Sequence, residues 1–511
     1  MNGATPSAGQ PARPAPEPSA DEPSRGTHSV RRSLLLSFAD RYLRLILQIG
    51  STAILARLLS PEDYGVYTIG TVIIGIAGVL RDFGVLTYLI QEKHLTSLIV
   101  RTAYGISLLI GSIAAVAIAL LSGFIGAFYG NDGVREVLLV LAINFVLMPF
   151  GSIVLMLLRR EMNFAALLRI NVSGMVVNAT VAIVLAVLGD SFMSLAWGTL
   201  AGSASTCVLA AWMRPHEFSM MPSLKEWRRL LSFGVVASAG ILVNEIGIEA
   251  PQLIIGRFLG VEALGIYGRA DSLLTVFARM VTNAVAPVAV SAFAMQHRAG
   301  AEMKGDFLRA TTMMTGLAWP FFASVGLVAY PTVRILFGAN WDAAVPIVQI
   351  LSVSGGILSL ANLNWFVFQA KGAVRTNLVV QLIVQPVAIV LVATASQFSL
   401  ALVAMAVVTS SIVSVVVSYH FMNRLIGTNL GEVLAAAGKS LAVTAAASAV
   451  PVVVLITVRI DAEHIWLPFM LAFSGAGAGY LLGLASFSHP LFAEFKIMLR
   501  SVRFLPTPRK R

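Results

Sequence analysis

Apolar segments long enough to cross a lipid bilayer follow one another along almost the whole chain. A membrane helix needs roughly 20 apolar residues, and about fourteen segments reach that length. Inside a bilayer every backbone polar group must be satisfied within the chain, so the spanning segments must be helices. The sequence therefore predicts an all-α integral membrane protein with about 14 transmembrane helices. They lie near 34–58, 66–90, 98–122, 134–157, 165–188, 191–213, 231–256, 263–293, 311–337, 344–369, 376–397, 398–420, 437–458 and 465–487.

Composition supports a membrane protein and argues against a nucleic-acid-binding one. Hydrophobic residues make up 57% of the chain and charged residues only 12%, whereas a soluble domain carries about 25% charged residues. The formal net charge of +11 comes from cations in short loops between apolar segments, which is the pattern that orients membrane proteins. We therefore expect no nucleic-acid partner. The single cysteine, Cys207, excludes an internal disulfide.

The distribution of loop cations predicts the orientation. With the N-terminus in the cytoplasm, most loop Lys and Arg residues lie on the cytoplasmic side, as the positive-inside rule requires. An even number of spans then returns the C-terminus to the cytoplasm. The opposite side keeps only Arg57, Arg135, Arg257, Arg334 and Arg459.

One stretch of the chain occurs twice. Residues 54–67 and residues 254–267 share Ile, Arg, Leu, Glu, Gly and Tyr in register without a gap. A weaker similarity pairs Tyr129-Gly130 with Phe337-Gly338. Each copy of the stretch joins the first two helices of a half, so the halves are offset by six spans and keep the same orientation. The sequence predicts two parallel six-helix repeats plus two C-terminal helices.

These features divide the chain into six parts. The Pro-, Ala- and Ser-rich N-terminus has the composition of a disordered segment. The predicted parts are a disordered cytoplasmic tail (1–32), an N-terminal six-helix lobe (33–213), a cytoplasmic connector (214–230), a C-terminal six-helix lobe (231–420), two additional helices (421–487) and a basic cytoplasmic tail (488–511).

Arginines inside predicted spans are candidate substrate-binding residues. A charged side chain costs about 2.5–3.5 kcal/mol at the centre of a membrane helix, so its presence there indicates a function or a charged partner. Guanidinium groups bind phosphate oxygens in a bidentate manner, which suits a cavity for an anion. The alternative is that Asp–Arg pairs neutralise each other and that Arg41 reaches the cytoplasmic surface. The candidates are Arg41, Arg44, Arg81, Arg269 and Arg279.

Carboxylates inside the spans are candidate ion-coupling residues. Glu245 and Glu249 lie four residues apart on one helical face, and Pro251 predicts a break in that helix. The alternative is that they pair with arginines of the first half. Asp40 and Asp271 complete the set of candidates. The sequence offers no candidate metal site and no cofactor site.

Three motifs carry a resemblance to a known family. The stretch ARLLSPEDYGVY, followed by RDFGVLTYLIQ, resembles the start of the Wzx-type oligosaccharide flippases, the polysaccharide-transporter branch of the MOP superfamily. The stretches IIGRFLGVEALGIYGRADSL and FGANWDAAVPIVQIL are also similar to that family. The resemblance implies a transporter of the bacterial inner membrane that moves undecaprenyl-pyrophosphate-linked oligosaccharide by alternating access. O-antigen, capsule or exopolysaccharide synthesis would use it, and a polysaccharide polymerase and chain-length proteins are candidate partners.

Two other functions compete with a flippase. A drug/cation antiporter of the related multidrug-exporter branch would need net carboxylate in its cavity, whereas the candidate cavity residues here are mostly arginines. A membrane-embedded glycan polymerase or ligase would need a sizeable external loop, and every external loop predicted here is short. We therefore expect a flippase and not an enzyme.

Overall fold

The computed structural model describes residues 23–82, 95–215, 221–277, 302–458 and 464–503, together with isolated positions between them. Regular structure in this part of the chain is helical throughout. The helices are α1 (Pro23–Leu58), α2 (Pro61–Asp82), α3 (Ser97–Tyr129), α4 (Asp132–Arg160), α5 (Phe164–Leu188), α6 (Ser191–Met213), α7 (Trp227–Phe258), α8 (Val261–Phe277), α9 (Lys304–Leu327), α10 (Ala329–Leu336), a 3-10 helix (Ala339–Trp341), α11 (Ala344–Leu358), α12 (Asn364–Ala370), α13 (Val374–Ala395), α14 (Leu400–Ile426), α15 (Leu430–Thr457), α16 (Trp466–Ser486) and α17 (Pro490–Arg503).

The helices confirm an all-α membrane architecture. Within the described ranges, nine helices are long and apolar enough to cross a bilayer, and α9 with α10 would make a tenth. The predicted total of fourteen spans stays a prediction. At the N-terminus, α1 begins at Pro23, inside the segment predicted to be a disordered tail. Proline has a backbone angle already suited to the first turn of a helix, which explains this start.

One span has a bend that the sequence did not predict, and one predicted break in a helix is wrong. The segment 311–337 is not one straight helix, because α9 and α10 meet at an angle of 76°. Pro331 explains the bend: it has no N–H for the carbonyl of Leu327, and its ring would clash with that carbonyl in a continuous helix. Pro251, in contrast, does not break its helix, since α7 runs without interruption from Trp227 to Phe258. Membrane helices tolerate an internal proline where neighbouring helices pack around it.

The two copies of the repeated stretch meet in the structure. A Cβ atom on Gly65 of α2 would overlap the carbonyl group of Val261, and a Cβ on Gly265 of α8 would overlap the carbonyl of Pro61. Each glycine therefore lets the backbone of the other copy approach, as small residues do between membrane helices. The contact is reciprocal at an offset of 200 residues, which is what two related halves facing a common axis would produce.

The weaker similarity between the halves also has a structural basis. Gly130 follows α3 with φ 67°, and Gly338 follows α10 with φ 94°. Both positive φ values are ones that glycine adopts without steric cost. Gly130 ends α3 in the left-handed conformation, whereas Gly338 precedes the 3-10 helix. One hydrophobic cluster then joins the halves, since Ile69 of α2, Val137 of α4 and Leu264 of α8 belong to it.

Candidate functional site

A cavity of about 800 Å³ lies between the first half of the chain and the start of the second. Its wall includes residues from Arg44 to Leu55 on α1 and from Leu195 to Cys207 on α6. At 1.5 Å per residue these stretches give the cavity a length of roughly 16–18 Å. Helices α2, α4 and α5 complete the wall on one side, and α7 and α8 contribute on the other. Its volume lies in the range of small-molecule binding sites.

The wall is rich in hydroxyl and amide groups, which can donate and accept hydrogen bonds. Sequence analysis missed these residues, because single Ser, Thr and Asn residues are common in membrane helices. A usable signal is present in α6, where Gly198 and Gly202 keep the helix close to α5 and leave polar neighbours facing inward. The polar lining residues are Gln48, Ser51, Thr52, Thr68, Thr71, Ser152, Asn171, Asn178, Thr199, Ser203, Thr206, Gln252 and Ser272.

Arg44 lines the cavity and forms an ion pair. Its Nη2 lies 2.7 Å from Oδ2 of Asp40 on the same helix, and 41% of the Arg44 side chain is exposed. The pair agrees with the alternative that Asp40 neutralises an arginine, yet the exposed guanidinium can still donate hydrogen bonds to a ligand. The side chain of the neighbouring candidate, Arg41, lies outside the described residues.

Arg269 lines the cavity from α8 and is almost enclosed. Its side chain is 7% exposed, and its guanidinium carbon lies 3.3 Å from the centroid of the Tyr64 ring. The rings of Trp341 and Phe337 lie 5.2 Å and 5.5 Å from the same carbon. These distances are within the range of cation–π attraction, about 6 Å. Three aromatic residues, none of them predicted as site residues, therefore surround this arginine.

The remaining predicted arginines are placed elsewhere. Arg81 is buried, and its guanidinium lies over the ring of Phe145 at 5.5 Å, away from the cavity wall. Arg279 lies outside the described residues. The structure therefore brings Arg44 and Arg269 to one cavity, while Arg81 packs between helices.

The predicted acidic residues lie beside the cavity. Oε2 of Glu249 accepts a hydrogen bond of 2.8 Å from Nε2 of Gln252, and Gln252 lines the cavity. Glu245 is partly exposed one turn earlier on α7, and Asp271 is partly exposed on α8. Among the described lining residues the charged ones are Arg44 and Arg269, and both are cations.

One end of the cavity is closed by contacts between the halves. Nε1 of Trp341 donates a hydrogen bond of 2.7 Å to the carbonyl of Ala56, and Nη2 of Arg57 donates one of 2.6 Å to the carbonyl of Ile335. The rings of Tyr64 and Trp341 pack edge to face with centroids 5.4 Å apart. The three stretches that carry the family resemblance therefore converge at this end.

Comparison with known proteins matches a region of the chain that includes these converging stretches. A family described as polysaccharide biosynthesis protein matches residues 54–346, more than half of the chain. The chain belongs to this family. The matched region contains both copies of the repeated stretch and the closed end of the cavity.

Individual relatives share about a quarter of their aligned residues with this chain. The chain is 26% identical over 323 residues to the lipopolysaccharide biosynthesis protein WzxC of Escherichia coli (strain K12), which covers 63% of this chain and 66% of that protein. It is also 26% identical over 329 residues to the teichuronic acid biosynthesis protein TuaB of Bacillus subtilis (strain 168), covering 64% of this chain and 68% of that protein. The alignments thus span about two thirds of each relative.

The fold has a counterpart among solved structures. A structure of the lipid II flippase MurJ in an inward closed conformation matches with a TM-score of 0.71 and covers 90% of this chain and 99% of that one. The sequence identity is only 13%, so the likeness concerns the fold. It agrees with the helical membrane architecture described above, and this chain is a multi-pass membrane protein.

Proposed function

We propose that this protein is a flippase that moves undecaprenyl-pyrophosphate-linked oligosaccharide across the bacterial inner membrane for polysaccharide biosynthesis. The observation that carries the proposal is the composition of the cavity wall. It combines two arginines with many hydroxyl and amide groups, and no carboxylate belongs to its described lining. Arginine suits a pyrophosphate group, and the uncharged polar groups suit the hydroxyls of sugars.

The cavity favours a flippase over the two competing functions. A cationic drug would be repelled by Arg44 and Arg269, whereas an anionic lipid headgroup would be attracted. The membership in a polysaccharide biosynthesis family points in the same direction. For a polymerase or ligase, the cavity wall would need groups that activate a sugar hydroxyl, and the described lining supplies hydroxyls and amides rather than a general base.

The proposal includes the orientation of the protein in the membrane and the conformational state of its cavity. The positive-inside pattern supports a cytoplasmic position for both termini, and in that orientation the end closed by Trp341 and Arg57 faces outward. The conformation described here then has its outer end shut, as alternating access requires before substrate is released outside. Reporter fusions after Trp227 and near Trp341 test this: we expect a cytoplasmic signal from the first and an external signal from the second. The opposite pair of signals would contradict the orientation.

Transport itself is tested in proteoliposomes that contain an undecaprenyl-pyrophosphate-linked oligosaccharide. Appearance of the glycan at the opposite leaflet is followed with a membrane-impermeant oxidant of sugar diols. We expect the protein to accelerate this appearance, and we expect Arg44→Ala and Arg269→Ala to abolish most of the acceleration. Arg135→Ala, at an exposed position outside the cavity, is the matched control. Transport of a cationic dye without transport of the glycan would refute the proposal and favour an antiporter.

A further inference from the structure

We propose that Tyr64, Phe337 and Trp341 form an aromatic cage that retains Arg269 and holds the outer end of the cavity shut, and that the phosphate oxygens of the substrate release Arg269 so that this end opens. The inference rests on the proposed function, because the releasing group is the pyrophosphate of the lipid-linked substrate. It assigns to three aromatic residues a positioning role in the transport cycle.

The cage is built from both halves of the chain. Tyr64 belongs to α2, Arg269 to α8, and Phe337 and Trp341 lie in the segment after α10. The guanidinium carbon of Arg269 lies within 5.5 Å of all three ring centroids. Because Tyr64 comes from the first half and the other members from the second, the cation–π contacts act between the halves.

The enclosed guanidinium keeps unused donors. Nε and Nη2 of Arg269 are buried and have no hydrogen-bond partner among the described residues. An aromatic face attracts the positive charge, but it gives an N–H group no strong acceptor. A phosphate group offers two acceptor oxygens in the geometry that a guanidinium fork prefers. A phosphate group could therefore accept hydrogen bonds from the N–H groups of Arg269 that the cage leaves without an acceptor.

The difference between aromatic rings and phosphate oxygens as hydrogen-bond acceptors links ligand binding to the closed and open conformations. A ligand shifts an equilibrium only when it interacts differently with the two states. In the closed state the two unused donors are buried, whereas withdrawal of Arg269 toward the cavity would expose them. The same withdrawal removes a cation that lies against both Tyr64 and Trp341. The contacts that remain at this end are the Tyr64–Trp341 ring contact and the hydrogen bonds from Trp341 to Ala56 and from Arg57 to Ile335.

The experiment measures the distance across the outer end. Spin labels are attached to Glu62→Cys and Asn340→Cys, which replace exposed residues on the two sides of the closure, in a Cys207→Ser background. Pulsed electron resonance gives the distance distribution of the full-length protein in lipid nanodiscs. The added probe is undecaprenyl pyrophosphate, and undecaprenol of the same chain length is its uncharged counterpart.

We expect undecaprenyl pyrophosphate to raise the long-distance population by at least about threefold, whereas undecaprenol leaves it unchanged. Tyr64→Leu should raise the same population without added lipid, because the cation then loses its nearest ring. Trp341→Leu should act likewise, and Trp341→Phe keeps a ring in case the fully buried tryptophan is needed for folding. Trp466→Leu, at an exposed position on α16, is the matched control and should change nothing.

The outcomes separate the cage from the proposed function. If Tyr64→Leu and Trp341→Leu both fold and keep the closed distribution, the cage does not hold the outer end and the inference is wrong. If these variants open the end but undecaprenyl pyrophosphate does not open the cage-intact protein, release by phosphate is wrong. In that case glycan transport in proteoliposomes decides whether the proposed function fails as well.

Discussion

Replacing Gly65 by alanine tests whether the two halves pack through the repeated stretch. The new Cβ would overlap the backbone carbonyl of Val261, and a backbone atom cannot rotate away as a side chain can. The helices α2 and α8 must therefore separate. We expect Gly65→Ala to destabilise the protein and to reduce transport, since the cavity wall includes residues of both helices.

The magnitude follows from two opposing effects. Alanine is favoured over glycine within a helix by up to about 1 kcal/mol. Forcing extra volume into a packed contact costs typically about 1–3 kcal/mol. For Gly65→Ala the second effect dominates, so we expect a net loss of about 1–2 kcal/mol in the free energy of unfolding. Gly265→Ala should cost a similar amount, because it meets the carbonyl of Pro61 in the same way.

The matched control lies on the same helix. A Cβ on Gly75 would meet no atom within 4 Å, so Gly75→Ala should be neutral or stabilising. The measurement is the temperature at which half of the detergent-solubilised protein is lost from the monodisperse peak in size-exclusion chromatography. The double variant Gly65→Ala/Gly265→Ala should lose less than the sum of the single variants, because one separation of the helices accommodates both methyl groups. If Gly65→Ala proves as stable as Gly75→Ala, the reciprocal contact is not a packing determinant.

Three further predictions concern individual charges. Arg44→Lys keeps the charge but loses the bidentate geometry, so we expect glycan transport in proteoliposomes to fall by about tenfold; unchanged transport would mean that charge alone suffices. The Glu245→Gln/Glu249→Gln variant should lose the dependence of transport on pH or sodium, and a fully retained response would make these carboxylates structural. Burial lowers the pKa of His489, with a smaller contribution from Lys439, so the unfolded chain binds the proton more readily and stability should fall as the pH drops through about 6.5. Melting curves of wild type and His489→Gln between pH 8 and pH 5 check this, and parallel profiles would contradict it.

Much of the architecture was predictable because a bilayer imposes simple length and polarity rules. Helix α6, for example, occupies the predicted 191–213, since a Gly-Asp turn precedes it and a basic loop follows it. The bend at Val328 was not predicted, because hydropathy stays high across Pro331 and a hydropathy pattern carries no information on angle. Pro251 gave the opposite error, since a break was predicted and the helix is continuous. The packing around α7 decides whether a proline interrupts the helix.

The candidate site was predictable only in part. Charges inside apolar segments pointed to Arg44 and Arg269, because their presence in lipid is costly. The aromatic residues around Arg269 gave no such signal, since Tyr64 and Trp341 are unremarkable among the many aromatic residues of an apolar chain. They become recognisable only through contacts between segments far apart in sequence. Arg81 shows the converse, because a costly charge can be accommodated against Phe145 without reaching the cavity.

The unequal contribution of the two halves to the cavity wall bears on how such proteins could be redesigned. Most described lining residues come from α1, α2 and α4 to α6, whereas the second half contributes only through α7 and α8. Ligand preference therefore depends mainly on the first half, whereas the closing contacts need residues of both halves. A chimera that exchanges the first half with that of a relative should inherit the donor's choice of glycan, provided that Gly65 is retained opposite Val261. Duplicated halves of this kind would let a cell diversify its surface sugars by altering the cavity wall of one half, as long as the residues that contact the other half are kept.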